Sequence, residues 1–305
     1  MSTVTVTKTA HPAPQATRPI PSLDFGGTGE PLHFLHANGY PPGCYHPLIE
    51  RLATRFRVFG MLLRPLWPGA DPTALRDWKP LSEDLRQFLR GNQTGAVVGM
   101  GHSIGAVVTL RAALREPELF KALVLIEPVL LSPQHILILR AARALGLAAR
   151  LDNRINGALR RRRTFDSLEQ LFGGYRRREI FRFLSDAQLR SLVEGITRPM
   201  PDGRYELTYS PEWEARIYRT GIWNDWDLWG GLRGLRIPTL ILRGAETDTF
   251  FARTAEMVQK RNPAIRMETL SGATHLAPME KPEQVFVATR EFVAAADHLS
   301  PRATG

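Results

Sequence analysis

Residues 97–108 read VVGMGHSIGAVV, an apolar run that breaks on three glycines and then resumes. A strand, a tight turn and a helix start carry this pattern whether the turn cradles a cofactor phosphate or presents a nucleophilic serine. Spacing separates the two. A dinucleotide-binding turn requires G-x-G-x-x-G, whereas Gly99, Gly101 and Gly105 stand one residue too far apart at the second interval. Read as G-x-S-x-G, the residues Gly101, His102, Ser103, Ile104 and Gly105 describe a strand-to-helix turn that strains the backbone at Ser103 and demands small neighbours two places to either side. The Ser103 hydroxyl is then presented at the sheet edge, beside the unpaired N–H groups of the helix that follows, Ile104 foremost, where an oxyanion can form.

A serine hydroxyl needs a general base, and the base needs an orienting acid. Of the eight histidines, His275 lies in LSGATHLAPMEKP, after the last expected strand and before the last helix, where a loop can carry imidazole over the sheet edge. His11 falls in the N-terminal tail and His298 near the end of the final helix, both poorly placed. The acid is expected between nucleophile and base in chain order. Asp248 and Glu246 follow the strand PTLILRG in GAETDTFF, and the shorter Asp248 is preferred; Glu127, at the end of ALVLIEP, is a further candidate from the neighbouring strand, otherwise a cap. In FLHANGYPPG, residues 34–43, the turn can aim the Asn38 N–H into the same cavity as that of Ile104, while His36 braces the loop by hydrogen bonds.

Around this turn the chain alternates. The runs PLHFLH, RFRVFGMLL, GAVVGM, KALVLIEP, PTLILRG and IRMETL read as strands of a buried parallel sheet. Leu75, Trp78, Leu81, Leu85, Phe88 and Leu89 predict a helix over residues 72–92, and Val285, Thr289, Phe292 and Leu299 predict one over 281–299. Such alternation implies an α/β fold with a doubly wound, mostly parallel sheet. It fails over residues 131–232, which read as a helical, Arg-rich lid inserted between two parts of the core, 23–130 and 233–300; residues 1–22 form a loose, Pro- and Thr-containing tail.

Bulk composition narrows the class. At 305 residues and 43% hydrophobic content the chain can bury a sizeable core, and its single Cys44 excludes an internal disulfide framework, which suits a reducing cytoplasm. The N-terminus lacks the apolar core of a secretory signal, and no apolar run is long enough to span a membrane. The net charge of +10 comes with 35 arginines against five lysines, which reads as an arginine-rich bias spread over the surface rather than a nucleic-acid footprint. Residues 140–190 hold thirteen arginines and five acids, with Arg140, Arg143, Arg150, Arg154 and Arg161 recurring at helical spacings. That stripe is a solvated surface, a face meeting anionic lipid or an acidic partner, or a source of one pocket arginine for a substrate carboxylate. Tyr209, Trp213, Tyr218, Trp223, Trp226 and Trp229 pack this segment on the core, with a ring or two left for an acyl pocket. Oligomeric state is not legible.

Four of these motifs, in order, resemble those of the α/β-hydrolase superfamily, specifically its lid-bearing serine members, over nearly everything from residue 24 to 298. HANGYPPG looks like the oxyanion loop, GHSIG like the nucleophile elbow, LRGAETDTF like the acid turn and SGATHLAPMEKPEQV like the histidine loop. Ala37 replaces the usual second-position glycine of the oxyanion loop, and Thr247 stands where many members carry the acid. The resemblance implies a serine hydrolase cleaving a small ester or related acyl bond through an acyl-enzyme, with Ser103, His275 and Asp248 as triad and the Asn38 and Ile104 N–H groups as oxyanion donors. No metal, nicotinamide or other cofactor is expected. Acyl transfer and carbon–carbon bond hydrolysis share the same triad, and a receptor that retains the fold without turnover is the non-enzymatic alternative.

Overall fold

The computed structural model describes residues 19–92, 94–145, 153–221 and 225–299; the tail up to residue 18, Arg150, Trp223 and the side chains of Arg143 and His298 lie outside the described residues. Its centre is a sheet of strands β1 (Ser22–Gly26), β2 (Glu30–Leu35), β3 (Phe56–Met61), β4 (Val97–His102), β5 (Phe120–Ile126), β9 (Thr239–Gly244) and β10 (Arg266–Leu270), ordered β1-β3-β2-β4-β5-β9-β10. All neighbours are parallel except β1, which runs antiparallel to β3 at the edge. The six strands expected from apolar runs are all present. β1 was not expected, because a short, mostly exposed edge strand carries no apolar run to announce it.

Helices α1 (His46–Ala53), α2 (Lys79–Gly91), α3 (Ile104–Arg115), α10 (Ala252–Arg261), α11 (Ala277–Glu280) and α12 (Pro282–Leu299) flank the sheet. On one face Leu81, Leu85, Val107 and Leu110 of α2 and α3 meet Leu123 and Ile241. On the other, Leu48, Leu52 and Val285 of α1 and α12 meet Val124, Leu240 and Leu242. The helix expected from residue 72 begins only at Lys79: Pro80 fits a first turn but not a helix interior, and a separate 3₁₀ turn, Pro72–Ala74, precedes it. Leu75 and Trp78 reach the core from that irregular stretch, so their spacing reflects burial without helix.

Between β5 and β9 the chain forms α4 (Pro133–Ala144), α5 (Asn153–Leu159), β6 (Thr164–Phe165), α6 (Leu168–Arg176), α7 (Asp186–Gly195), β7 (Thr197–Pro199), β8 (Tyr205–Leu207), α8 (Pro211–Thr220) and α9 (Trp226–Leu232). The segment is not wholly helical as expected. Strands β6, β8 and β7 make a small antiparallel sheet, each too short to show period-two alternation. Tyr209, Trp213 and Trp229 are buried in one core and Leu171, Leu189 and Leu192 in the other, so the segment packs on both faces of the main domain. Trp226 is exposed.

Six of the thirteen arginines of residues 140–190 are paired with acids among the described residues. Arg162 pairs with Asp166, Arg163 with Glu212, Arg176 with Asp186, Arg182 with Glu179 and Arg190 with Glu169, while Arg161 turns inward to Glu214 and the Tyr175 hydroxyl. Arg161 thus belongs to the interior rather than to an exposed stripe. A buried cluster, Arg111 of α3 with Asp225 and Asp227, ties α9 to the sheet layer. No helix among the described residues is long and apolar enough to cross a membrane.

His33 on β2 is fully buried, its Nε2 accepting the Met61 N–H at 3.1 Å. Burial lowers its pKa to about 3. The unfolded chain therefore takes up a proton that the folded one refuses, and stability that is present above the ordinary pKa of 6.5 is lost as pH falls from there toward about 3. His33→Gln should flatten the decline of unfolding free energy between pH 6.5 and 4 by up to about 1.4 kcal/mol per pH unit, measured by urea titrations across that range.

Candidate active site

Ser103 sits between β4 and α3 with φ 58° and ψ −117°, a conformation L-residues avoid. It persists because the surroundings leave no alternative. The Ser103 N–H is held by the Ile126 carbonyl at 3.0 Å, and α3 is buried almost throughout. A Cβ on Gly105 would lie 2.2 Å from the Leu35 carbonyl oxygen, and one on Gly101 would lie 2.5 Å from the Gly105 backbone. Both glycines are therefore demanded by close approach of α3 to β2 and β4.

The histidine loop brings His275 Nε2 to 2.9 Å from Ser103 Oγ. His275 Nδ1 lies 3.1 Å from Glu127 Oε2. A carboxylate only accepts, so the proton sits on Nδ1 and the Nε2 lone pair faces the serine hydroxyl. The expectation that Asp248 orients the imidazole is not met. Asp248 is exposed, and its Oδ1 accepts the neighbouring Thr249 hydroxyl at 3.0 Å. The reason lies in strand register and backbone. Ile126 pairs with Leu242, the Glu127 N–H donates to the Leu242 carbonyl at 2.8 Å, and Glu127 itself leaves β5 at φ 49°. That turn swings its side chain under the loop after β9, where Oε1 accepts the Gly244 N–H at 2.6 Å and Oε2 the Thr247 hydroxyl at 2.5 Å. Glu127 is completely buried. Thr247 donates here to the carboxylate arriving from the adjacent strand.

The expected oxyanion donors flank the same cavity. Ile104 N–H is the first of α3, one of the donors a helix leaves without an internal acceptor. In the 34–43 loop the Ala37 N–H goes to the Tyr45 hydroxyl at 3.0 Å, and the Ala37 carbonyl accepts from His36 Nδ1 at 2.9 Å. In a trans peptide C=O and N–H point oppositely, so fixing the Ala37 carbonyl also fixes the direction of the Asn38 N–H. The turn's need for glycine falls at Gly39, φ 74°, and not at Ala37, whose φ is not positive. The Asn38 side chain donates to the Glu214 carbonyl of α8 at 3.1 Å.

Two buried histidines beside the site brace it instead of moving protons. His36 Nε2 accepts the Leu63 N–H at 3.2 Å, which leaves the proton on Nδ1, and burial lowers its pKa to about 4. His102 Nε2 donates to the His275 carbonyl at 2.8 Å, so its Nδ1 accepts from Tyr45 Oη at 2.8 Å. Burial and the neighbouring His275 hold His102 uncharged, well below the ordinary imidazole range. A directed chain thus runs from Ala37 N–H through Tyr45 and His102 to His275, joining the oxyanion loop, the serine turn and the histidine loop. Glu280 supports the last of these from below, accepting Thr274 N–H at 2.6 Å and Thr274 Oγ1 at 2.7 Å. Sequence reasoning missed Tyr45, His102 and Glu280 in these parts, since nothing local marks a buried polar partner.

A cavity of about 120 Å³ opens over Ser103 and His275. Trp78, Val129, Ile217 and Leu276 make its walls apolar, Asn38 and Ile104 face it, and Arg154 and Asp248 add one charge of each sign. Among the described residues of the aromatic group, Tyr218, beneath the Arg154 guanidinium, is the ring that lines it.

Residues 34–289 match the model of the alpha/beta hydrolase family. The chain belongs to that family. It is 23% identical over 269 residues to 2-(acetamidomethylene)succinate hydrolase of Mesorhizobium japonicum, covering 88% of this chain and 90% of the relative. It is 22% identical over 273 residues to a pimeloyl-[acyl-carrier protein] methyl ester esterase of Legionella pneumophila, covering 89% and 98%. The crystal structure of E-2-(acetamidomethylene)succinate hydrolase superposes with a TM-score of 0.70 at 20% identity, covering 90% of this chain and 98% of that one. As an alpha/beta hydrolase the chain is an enzyme.

Tyr45→Phe removes one hydroxyl and strands two buried groups, the Ala37 N–H and His102 Nδ1. The variant should unfold with about 2–4 kcal/mol less free energy than the parent in urea denaturation.

Proposed function

We propose that this alpha/beta hydrolase cleaves a carboxylic ester or related acyl bond of a small substrate through an acyl-enzyme on Ser103. The observation that carries the reading is the unbroken line from Ser103 Oγ through His275 to the buried Glu127, with its serine end facing the apolar cavity. His275 takes the Ser103 proton as the hydroxyl attacks the carbonyl carbon, and Glu127 holds the imidazole tautomer and offsets the charge that develops on it. The Ile104 and Asn38 N–H groups receive the oxyanion. Collapse of the tetrahedral intermediate expels the alcohol with the proton from His275, and water, deprotonated in turn by His275, releases the acid.

Several features support an ester or close analogue. Both relatives compared above are hydrolases by name, one of them a methyl ester esterase. A serine nucleophile forms an acyl-enzyme directly, without a bound metal to activate water. The segment between β5 and β9 acts as the lid in this reading, since Arg154, Ile217 and Tyr218 from it close the cavity. A void of about 120 Å³ suits a short acyl group, while Arg154 and Asp248 meet polar ends of the substrate.

A fluorophosphonate should label Ser103, mapped by peptide mass spectrometry, with no label in Ser103→Ala. A label elsewhere, or none, would sink the proposal. On nitrophenyl esters, activity should peak at acyl chains of two to four carbons and fall steeply beyond, as about 120 Å³ of room requires. The acid assignment has its own test. Glu127→Gln should lower kcat by about 10³–10⁴-fold, and Asp248→Asn should leave kcat within a few-fold; the reverse ranking would restore Asp248 as the orienting acid.

A further inference from the structure

At the opposite edge of the sheet, where β9 and β10 begin, lies a second and larger cavity of about 470 Å³. The catalytic cavity sits beyond the carboxyl ends of the strands, so the two are separated by the length of the strands, roughly 15–20 Å. The floor of this second cavity is apolar, built by Leu235, Ile237 and Ile265 with Phe292 from α12. Its rim is cationic. Arg233, Arg236 and Arg266 line it, and no acidic residue does among the described residues.

Two of the three charges on that rim are not paired within the protein as described. Arg266 reaches Glu268 at 2.7 Å, but neither Arg233 nor Arg236 has a carboxylate within ion-pair distance among the described residues. Two unmatched guanidiniums at one mouth repel each other, and an anion placed between them relieves that cost. The wall that carries them is rigid. Asn262 is buried and its carboxamide donates to the Leu232 and Leu235 carbonyls at 2.9 and 3.0 Å, clamping the 232–238 stretch against the turn before β10.

We propose that this cavity is a binding site for an amphipathic monocarboxylate, a free fatty acid of medium chain length. Its tail lies on the Leu235, Ile265 and Phe292 floor and its carboxylate is held by the Arg233 and Arg236 forks. An apolar floor alone accepts any hydrophobic molecule, and a basic rim alone accepts any anion. The two together select a ligand that is anionic at one end and apolar along its length. The proposal is independent of the acyl-enzyme chemistry at Ser103, and either can fail without the other.

Isothermal titration calorimetry with sodium hexanoate, octanoate and decanoate tests it. Affinity should rise roughly tenfold for each added pair of methylenes until the cavity is filled, and neutral octanamide should bind at least about tenfold more weakly than octanoate. Arg233→Gln/Arg236→Gln should weaken octanoate by at least about tenfold, and Ala295→Trp, which takes up cavity volume from α12, should weaken it by a similar factor. All three substituted residues are exposed, so both variants should keep the parent melting temperature, which is measured alongside. No heat of binding at millimolar octanoate, equal affinity for octanamide, or affinity unchanged in both variants would each overturn the assignment, the last by placing the ligand elsewhere, the catalytic cavity included.

Discussion

One carboxylate joins the pieces of this site. Glu127 leaves β5 in a left-handed conformation, with its N–H fixed to β9, and its two oxygens receive the Gly244 N–H, the Thr247 hydroxyl and the His275 imidazole. Three chain segments far apart in sequence are thereby referred to a single buried anion. An unpaired carboxylate at that depth would cost several kcal/mol, so the donors around it are a condition of its being there at all. Their convergence fixes the histidine loop, and with it the distance from imidazole to serine.

The glycine pattern around Ser103 was readable because sterics act over five residues and leave a signature of fixed spacing. Gly101 and Gly105 have no freedom to be anything larger, and the apolar strand before them and the buried helix after them complete the signature. The same holds for His275, whose loop stands where the alternation of strand and helix puts it. The partner of the imidazole was not readable in that way. Asp248 and Glu127 both follow strands of the parallel sheet, both are short-range plausible, and the choice depends on how β5 and β9 are registered and on a positive φ at Glu127, neither of which has a local sequence mark. Thr247 was visible as a departure; its meaning, a hydroxyl donor to a carboxylate from the next strand, emerges only with the fold.

Elements were lost for similar reasons. β1 and the three strands of the small sheet are two to five residues long and bury only Phe165, so no periodicity rises above chance. The helix start at Lys79 was misplaced because Leu75 and Trp78 are spaced like helix residues while being buried from a 3₁₀ turn and its exit. The charge of the segment between β5 and β9 was counted correctly and interpreted too simply: its arginines recur at helical intervals, yet several find acids brought to them by folding, and Arg161 is drawn to Glu214 beneath the surface. Composition reports how many charges there are, and only packing reports which are matched.

The contact between Asn38 and α8 is made to the Glu214 carbonyl, a main-chain atom, and not to the carboxylate beside it. A main-chain acceptor survives replacement of the side chain that bears it. The covering segment can therefore drift in composition, and with it the shape of the cavity it roofs, while its grip on the neighbouring turn is inherited unchanged. The cavity's shape can thus change by mutation of α8 without re-engineering the loop that α8 steadies.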